Sequence, residues 1–178
     1  MIRRLFFALM ISALMVTILW GGARAAALPG LVRLQVVAES DDADAQALKL
    51  ELRNVCLRAA EVCLAGASDA DAAYARIAMH VDDFQAACEA RARELGCGAE
   101  VRAEVGVFDF PDRLYGKLFV PAGEYRALRV TVGAGEGHNW WCVLYPSLCV
   151  LNEAEDAGDR NPVNILEWLR AKWGGDAA

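Results

Sequence analysis

Residues 133–149 read GAGEGHNWWCVLYPSLC. A glycine-rich turn leads into Trp140–Tyr145, a run that is apolar on both of the faces a strand presents. Such a strand belongs in the middle of a sheet, covered on both sides. Upstream, Leu128, Val130 and Val132 alternate with Ala127, Arg129 and Thr131. Val101, Ala103, Val105 and Val107 alternate with Arg102, Glu104 and Gly106. Both are period-two patterns, the mark of strands. Phe110-Pro111-Asp112 and Pro121-Ala122-Gly123 punctuate them, with a brief strand at Leu118–Val120 between. Val32, Leu34, Val36 and Ala38 predict a further strand with one apolar face, opposite Arg33, Gln35 and Val37.

Between the first strand and the later ones the period lengthens. Ser40 and Asp41 stop the strand and offer a helix N-cap. A helix follows from about Asp42 to Leu64, with Leu48, Leu52, Val55, Cys56, Ala59, Val62 and Cys63 on one stripe. Gly66 ends it. Ser68 and Asp71 have capping-box spacing and open a second helix to about Leu95, kinked near Val81–Asp83. Its inward side is Tyr74, Ile77, Ala78, Val81, Phe84 and Cys88, and Gly96 is its stop. Asn152 to Asn161 is an acidic linker, and Asn164 to Trp173 a short amphipathic helix with Ile165, Leu166, Leu169 and Trp173 on its apolar side. The expected class is α+β: a mainly antiparallel sheet, two long helices packed on one face, and a short C-terminal helix. Residues 26–151 form one domain, and 152–178 the linker and last helix.

The N-terminus reads as a secretory signal. Arg3 and Arg4 precede a charge-free apolar run from Leu5 to Trp20, and Ala23-Arg24-Ala25 fits the small-x-small rule, with cutting between Ala25 and Ala26. The run is short of the roughly 20 residues a membrane helix needs, so stable insertion after cleavage is not expected; the alternative is an uncleaved N-terminal anchor. Either way, Ala26 onward lies outside the cytoplasm. The whole chain carries −6, and losing Arg3, Arg4 and Arg24 leaves 15 basic against 24 acidic residues, about −9. A chain so acidic, with no basic stripe, is a poor nucleic-acid binder.

Six cysteines in an exported chain invite disulfides. Cys142 and Cys149 flank a Tyr-Pro turn and are the favoured pair; closing this short loop is worth about 2.5 kcal/mol in the chain-entropy model. Cys56 and Cys63, two turns apart on one helix, stand ~10 Å apart, too far to bond. They read as buried small hydrophobes, as does Cys88. Cys97, between two glycines, is left without an assigned partner.

Catalytic and metal chemistry find little support. His138 and Cys142 are candidates for a thiol nucleophile and its base, with Asn139 orienting the histidine, but on an extended strand they stand ~13 Å apart. Gly133–Gly137 lacks the lysine and following helix of a phosphate loop and reads as a flexible hairpin connection. Asp41, Asp42 and Asp44 fail the calcium-loop spacing, and no cluster has zinc spacing. No cofactor and no metal are expected. Trp140 and Trp141 point to opposite faces of a strand, so one of them serves the core and the other needs a cover or a partner.

Three segments together resemble the stage II sporulation protein R family. They are RLQVVAESDDADAQALKLELRN (33–54), with Gln46, Leu48, Lys49 and Arg53; FPDRLYGKLFVPAGEYRALRVTVG (110–133); and GEGHNWWCVLYPSLC (135–149). The last is the most specific, through its Asn-Trp-Trp-Cys…Pro…Cys order. The chain departs from the family pattern at Gln35, where histidine is expected, and at Glu39, where asparagine is expected. The resemblance implies a signal in endospore formation. Such a protein is made in the forespore and exported into the space between forespore and mother cell. There it activates a membrane-embedded aspartic protease that cleaves the pro-form of sporulation sigma factor E.

The leading expectation is therefore a non-enzymatic protein ligand. Its contact surface is expected near Gly135–Cys149, comprising Glu136, His138, Asn139, Trp140 and Trp141, with Glu124, Tyr125 and Arg129 as neighbours. The runner-up is a secreted thiol hydrolase using Cys142 and His138; a structural envelope protein is third.

Overall fold

The computed structural model describes residues 28–115 and 118–146 in full and 163–164 as backbone. Ala25, Ala26, Cys149, the acidic linker and residues 165–173 of the expected last helix lie outside the described residues. Asn164, the start of that helix in the sequence reading, is in a short strand instead.

The chain runs β1 (Val32–Val37), α1 (Ala43–Cys63), α2 (Ala70–Met79), α3 (Val81–Glu94), β2 (Val101–Phe110), β3 (Arg113–Tyr115), β4 (Leu118–Val120), β5 (Gly123–Val132), β6 (Asn139–Tyr145) and β7 (Val163–Asn164). The class is α+β, with a mixed, mostly antiparallel sheet. Its order is β2-β5-β1-β6, and β3, β4 and β7 form a smaller sheet. β1 lies parallel to β5 and antiparallel to β6, and β2 is antiparallel to β5.

Two expectations are corrected by this order. The doubly apolar run at Trp140–Tyr145 is an edge strand among the described residues, and the interior strands are β5 and β1. β1, read as having one apolar face, is buried at every position, Arg33 and Gln35 included. The reason is common to both: each face of this sheet is covered. On one face, Leu48, Leu52 and Cys56 of α1, Ile77 of α2, and Phe84, Cys88 and Ala92 of α3 pack on Leu34, Val36, Leu128, Val130 and Leu144. On the other, Leu31, Phe110, Tyr115, Leu118, Val120, Tyr125 and Val143 make a second core.

The helices follow the apolar stripes, with local differences. The expected second helix is two, divided at His80, where the backbone turns out of helical geometry (φ −111°, ψ 16°). Asp82 and Asp83 then fall in the first turn of a new helix, where carboxylates favour the dipole. The cap of α2 is Asp69 and not Ser68: its carboxylate accepts from Ala72 N at 2.8 Å, while Ser68 Oγ donates to Asp69. α1 has Asp42 at its N-cap with no side-chain cap bond. Among the described residues no helix is long and apolar enough to cross a membrane.

The glycine-rich segment is not a hairpin connection. It carries the chain from β5 past the end of β1 to β6, so it must cross one strand. It is tied down on the way: Glu136 N donates to Glu39 O and Gly137 N to Ala38 O. Gly135 sits at φ 67°, in the left-handed region that favours glycine. A Cβ on Gly137 would stand 2.2 Å from Ser40 O, a backbone atom that cannot swing aside. Gly137→Ala is thus expected to push the segment off β1 and cost about 1–3 kcal/mol, read as a lowered Tm. An unchanged Tm would show that the segment is not held there.

Candidate functional site

Strand alternation sorts the sequence-derived residues onto two faces. Trp140 and Trp141 do diverge. Trp140 lies on the helix side, with the Arg53 guanidinium of α1 over its ring at 4.3 Å. Its indole N–H is buried without an acceptor among the described residues. Trp141 lies on the other side, edge-on to Phe110 with ring centroids 4.8 Å apart. Both are half-buried.

On the Trp141 face, four polar side chains cross the sheet in strand order. Glu104 of β2 pairs with Arg129 of β5 (Oε1 to NH1, 3.5 Å). Arg129 Nε donates to Gln35 Oε1 of β1 at 2.7 Å. Gln35 Nε2 donates to Asn139 Oδ1 of β6 at 3.0 Å. Because Gln35 accepts on one side and donates on the other, its amide has one orientation that satisfies both neighbours. The Arg129 guanidinium also lies 3.8 Å from the centre of the Phe108 ring. These contacts contribute little to stability: an ion pair this exposed is worth about 0–1 kcal/mol, and an exposed cation–π contact about 0.5–1 kcal/mol. What they fix is geometry. Asn139 is exposed at the edge strand, Arg129 is held across the middle, and Trp141 stands beside them.

The crossing segment adds a second group next to Asn139. His138 N and Nδ1 both contact Asp41 Oδ1, at 2.6 and 2.5 Å. Lys49 of α1, 6% exposed, donates to His138 O at 3.0 Å and to Gln46 Oε1. Gln46 Nε2 reaches back to Ser40 O at 2.8 Å. Burial pulls the Lys49 ammonium below its ordinary value, partly offset by Asp41. The side-chain and backbone hydrogen bonds from His138 hold the Asp41 carboxyl below the usual aspartate range, against a smaller opposing effect of burial. A depressed acid stabilises the fold above its unfolded pKa of about 3.9. That contribution is lost as pH falls through the folded value. An NMR titration of Asp41 should therefore have its midpoint below about 3.9; a midpoint at or above it would show that His138 does not hold the carboxylate.

Of the eight expected contact residues, Arg129, Asn139 and Trp141 share the face turned away from the helices. His138 and Glu136 are exposed on the adjoining segment. Tyr125 does not join them. It is 3% exposed, with its hydroxyl donating to Pro121 O at 2.8 Å and accepting from Leu28 N at 3.3 Å. Glu124 is exposed but alternates onto the helix side with Arg126, and Trp140 is on that side too. Gln35 and Glu104 were missed as site residues. The outward register of Glu104 and the charge of Arg129 were visible; their adjacency was not. Both departures from the family pattern fall here, Gln35 in the polar row and Glu39 against the crossing segment.

The catalytic alternative finds no dyad. His138 is 81% exposed and engaged with Asp41, whereas Cys142 is 1% exposed on the helix side. Among the described residues no group of three His, Cys, Asp or Glu side chains is placed to hold a metal ion.

Comparison with known proteins bears on this geometry directly. Residues 29–155 match the family model for stage II sporulation protein R, a stretch that includes all four strands of the main sheet. Stage II sporulation protein R of Bacillus subtilis (strain 168) is 29% identical over 151 residues, covering 79% of this chain and 67% of that protein. No solved structure matches the chain. With most of its length matched, the chain belongs to the stage II sporulation protein R family, and this membership supports a role in sporulation signalling.

Proposed function

We propose that this chain is an exported sporulation signal that acts by contact. In this reading the segment before Ala26 directs export from the forespore and is cut between Ala25 and Ala26. The mature domain works in the space between forespore and mother cell. Its partner is the membrane-embedded aspartic protease that processes pro-sigma-E, and no bond in a substrate is broken by the chain itself. The observation that carries the reading is the row Glu104–Arg129–Gln35–Asn139 beside Trp141. It is a polar face beside an aromatic anchor, and it carries Arg129 and Trp141, residue types enriched among the anchors of protein interfaces.

A Cys142–Cys149 disulfide belongs to the same proposal. Among the described residues Cys56, Cys63, Cys88 and Cys97 are free and Cys142 is not one of them, which supports pairing Cys142 with Cys149. A bonded Cys142 offers no thiolate to a hydrolase. The test is complementation of a sporulating strain that lacks its own copy, reading pro-sigma-E processing. The full chain should restore processing, and a chain beginning at Ala26 should not. Processing restored equally by both would contradict an exported signal.

A further inference from the structure

We propose that Cys56 and Cys88 form a second disulfide, joining α1 to α3, when the chain folds in an oxidising compartment. Their sulfurs lie 3.5 Å apart, in direct contact, and both residues are fully buried. They come from different helices, 32 positions apart in the chain, unlike Cys56 and Cys63, which share α1. A bond needs about 2.05 Å between sulfurs, which leaves some 1.5 Å of approach to be shared by two side chains already in contact.

The reaction is thiol–disulfide exchange with a disulfide oxidant such as glutathione disulfide or a thiol oxidase. One thiolate attacks an oxidant sulfur and displaces a thiol. The second thiolate attacks the mixed disulfide and displaces the other. Two protein thiols lose two hydrogens and two electrons, and the oxidant disulfide becomes two thiols. The hydrogen bond with the Cys88 sulfur and burial raise the Cys56 pKa well above its ordinary value, so the packed Cys56 thiol is unreactive. The bond therefore forms while the helices are still assembling.

The link joins elements that support the contact face. α1 carries Lys49, which holds His138, and Arg53, which covers Trp140. α3 carries Gln85, whose Oε1 accepts from Ala103 N of β2 at 3.1 Å. A covalent tie between them makes the helix layer one support for the sheet. Its occurrence in cells rests on the export reading; the chemistry does not.

The test has two arms. The full chain, refolded from denaturant in a glutathione redox buffer, is alkylated under denaturing conditions, digested and mapped by mass spectrometry. A Cys56–Cys88 peptide pair that separates on reduction is the expected result. Adding reductant should lower Tm by roughly 5–15 °C more in this protein than in the Cys56→Ala/Cys88→Ala variant. Both thiols alkylated without reduction would overturn the inference. The second arm maps protein recovered from sporulating cells. A cross-linked pair there supports the inference, whereas a bonded Cys142 with both Cys56 and Cys88 alkylated overturns it and leaves the export reading intact. Six free thiols would count against the export reading, and the refolding arm alone then decides the chemistry.

Discussion

Trp141→Ala is expected to abolish sporulation signalling while leaving a folded, exported protein. The ring is half-buried and packs on Phe110 from one side. Removing it should cost about 1–3 kcal/mol of stability, against the 5–15 kcal/mol typical of a domain. As an interface anchor the same ring is worth at least about 2 kcal/mol of binding, roughly thirtyfold in affinity. Binding therefore fails before folding does. Pro-sigma-E processing and the level of soluble protein, measured together, separate the two. Loss of both would make Trp141 a core residue and move the interface elsewhere. Trp140→Ala is the informative companion. Its ring is pinned under Arg53 on the helix side, so its substitution should act mainly on stability.

The largest stability effect is expected at Arg33. Its guanidinium is fully buried, with ring centroids of Phe110, Tyr125 and Tyr115 at 4.2, 4.9 and 5.8 Å. One nitrogen donates to Tyr115 Oη at 2.7 Å, while Nε and NH1 have no hydrogen-bond partner among the described residues. Burial lowers the Arg33 pKa and raises that of Tyr115, so the phenol is neutral at ordinary pH and among the described residues no anion balances the cation. What Arg33 supplies is volume and three ring faces. Arg33→Ala empties that space and should cost about 3–5 kcal/mol. Arg33→Met fills it without a charge and should recover most of the loss, since an apolar replacement of a buried ion is often neutral or stabilising. Chemical denaturation of the two variants decides the point. If Met is as damaging as Ala, the Tyr115 hydrogen bond and the charge matter more than the packing.

The elements of this fold were readable from the sequence, because each rests on a local period. Strands form at Val101–Val107 and Leu128–Val132 and a helix at the stripe of α1 as their periods demand, although Val107 and Val62 end up exposed, and Gly66 and Gly96 end helices at positive φ. Strand order was not readable. β1 and β5 pair in parallel across some ninety residues, and no local pattern encodes that. Placing β1 inside the sheet is what makes Trp140–Tyr145 an edge and turns the glycine segment into a crossing. The site was legible in proportion. Arg129, Asn139 and Trp141 were singled out individually, from charge, position and aromatic character. That they share a face with Gln35 and Glu104 follows only once four strands stand side by side. Arg33, read as lying opposite the apolar face of an alternating strand, is buried for the same reason.

The central claim is that the partner touches the face carrying Trp141 and Arg129. It is tested most directly by measuring the affinity of the exported chain for the detergent-solubilised protease, with Arg129→Glu on that face and Arg93→Glu on the exposed side of α3. At least roughly thirtyfold weaker binding for Arg129→Glu, about 2 kcal/mol, with no change for Arg93→Glu, is the result predicted. A folded Arg129→Glu protein that binds as tightly as the unaltered chain would contradict it.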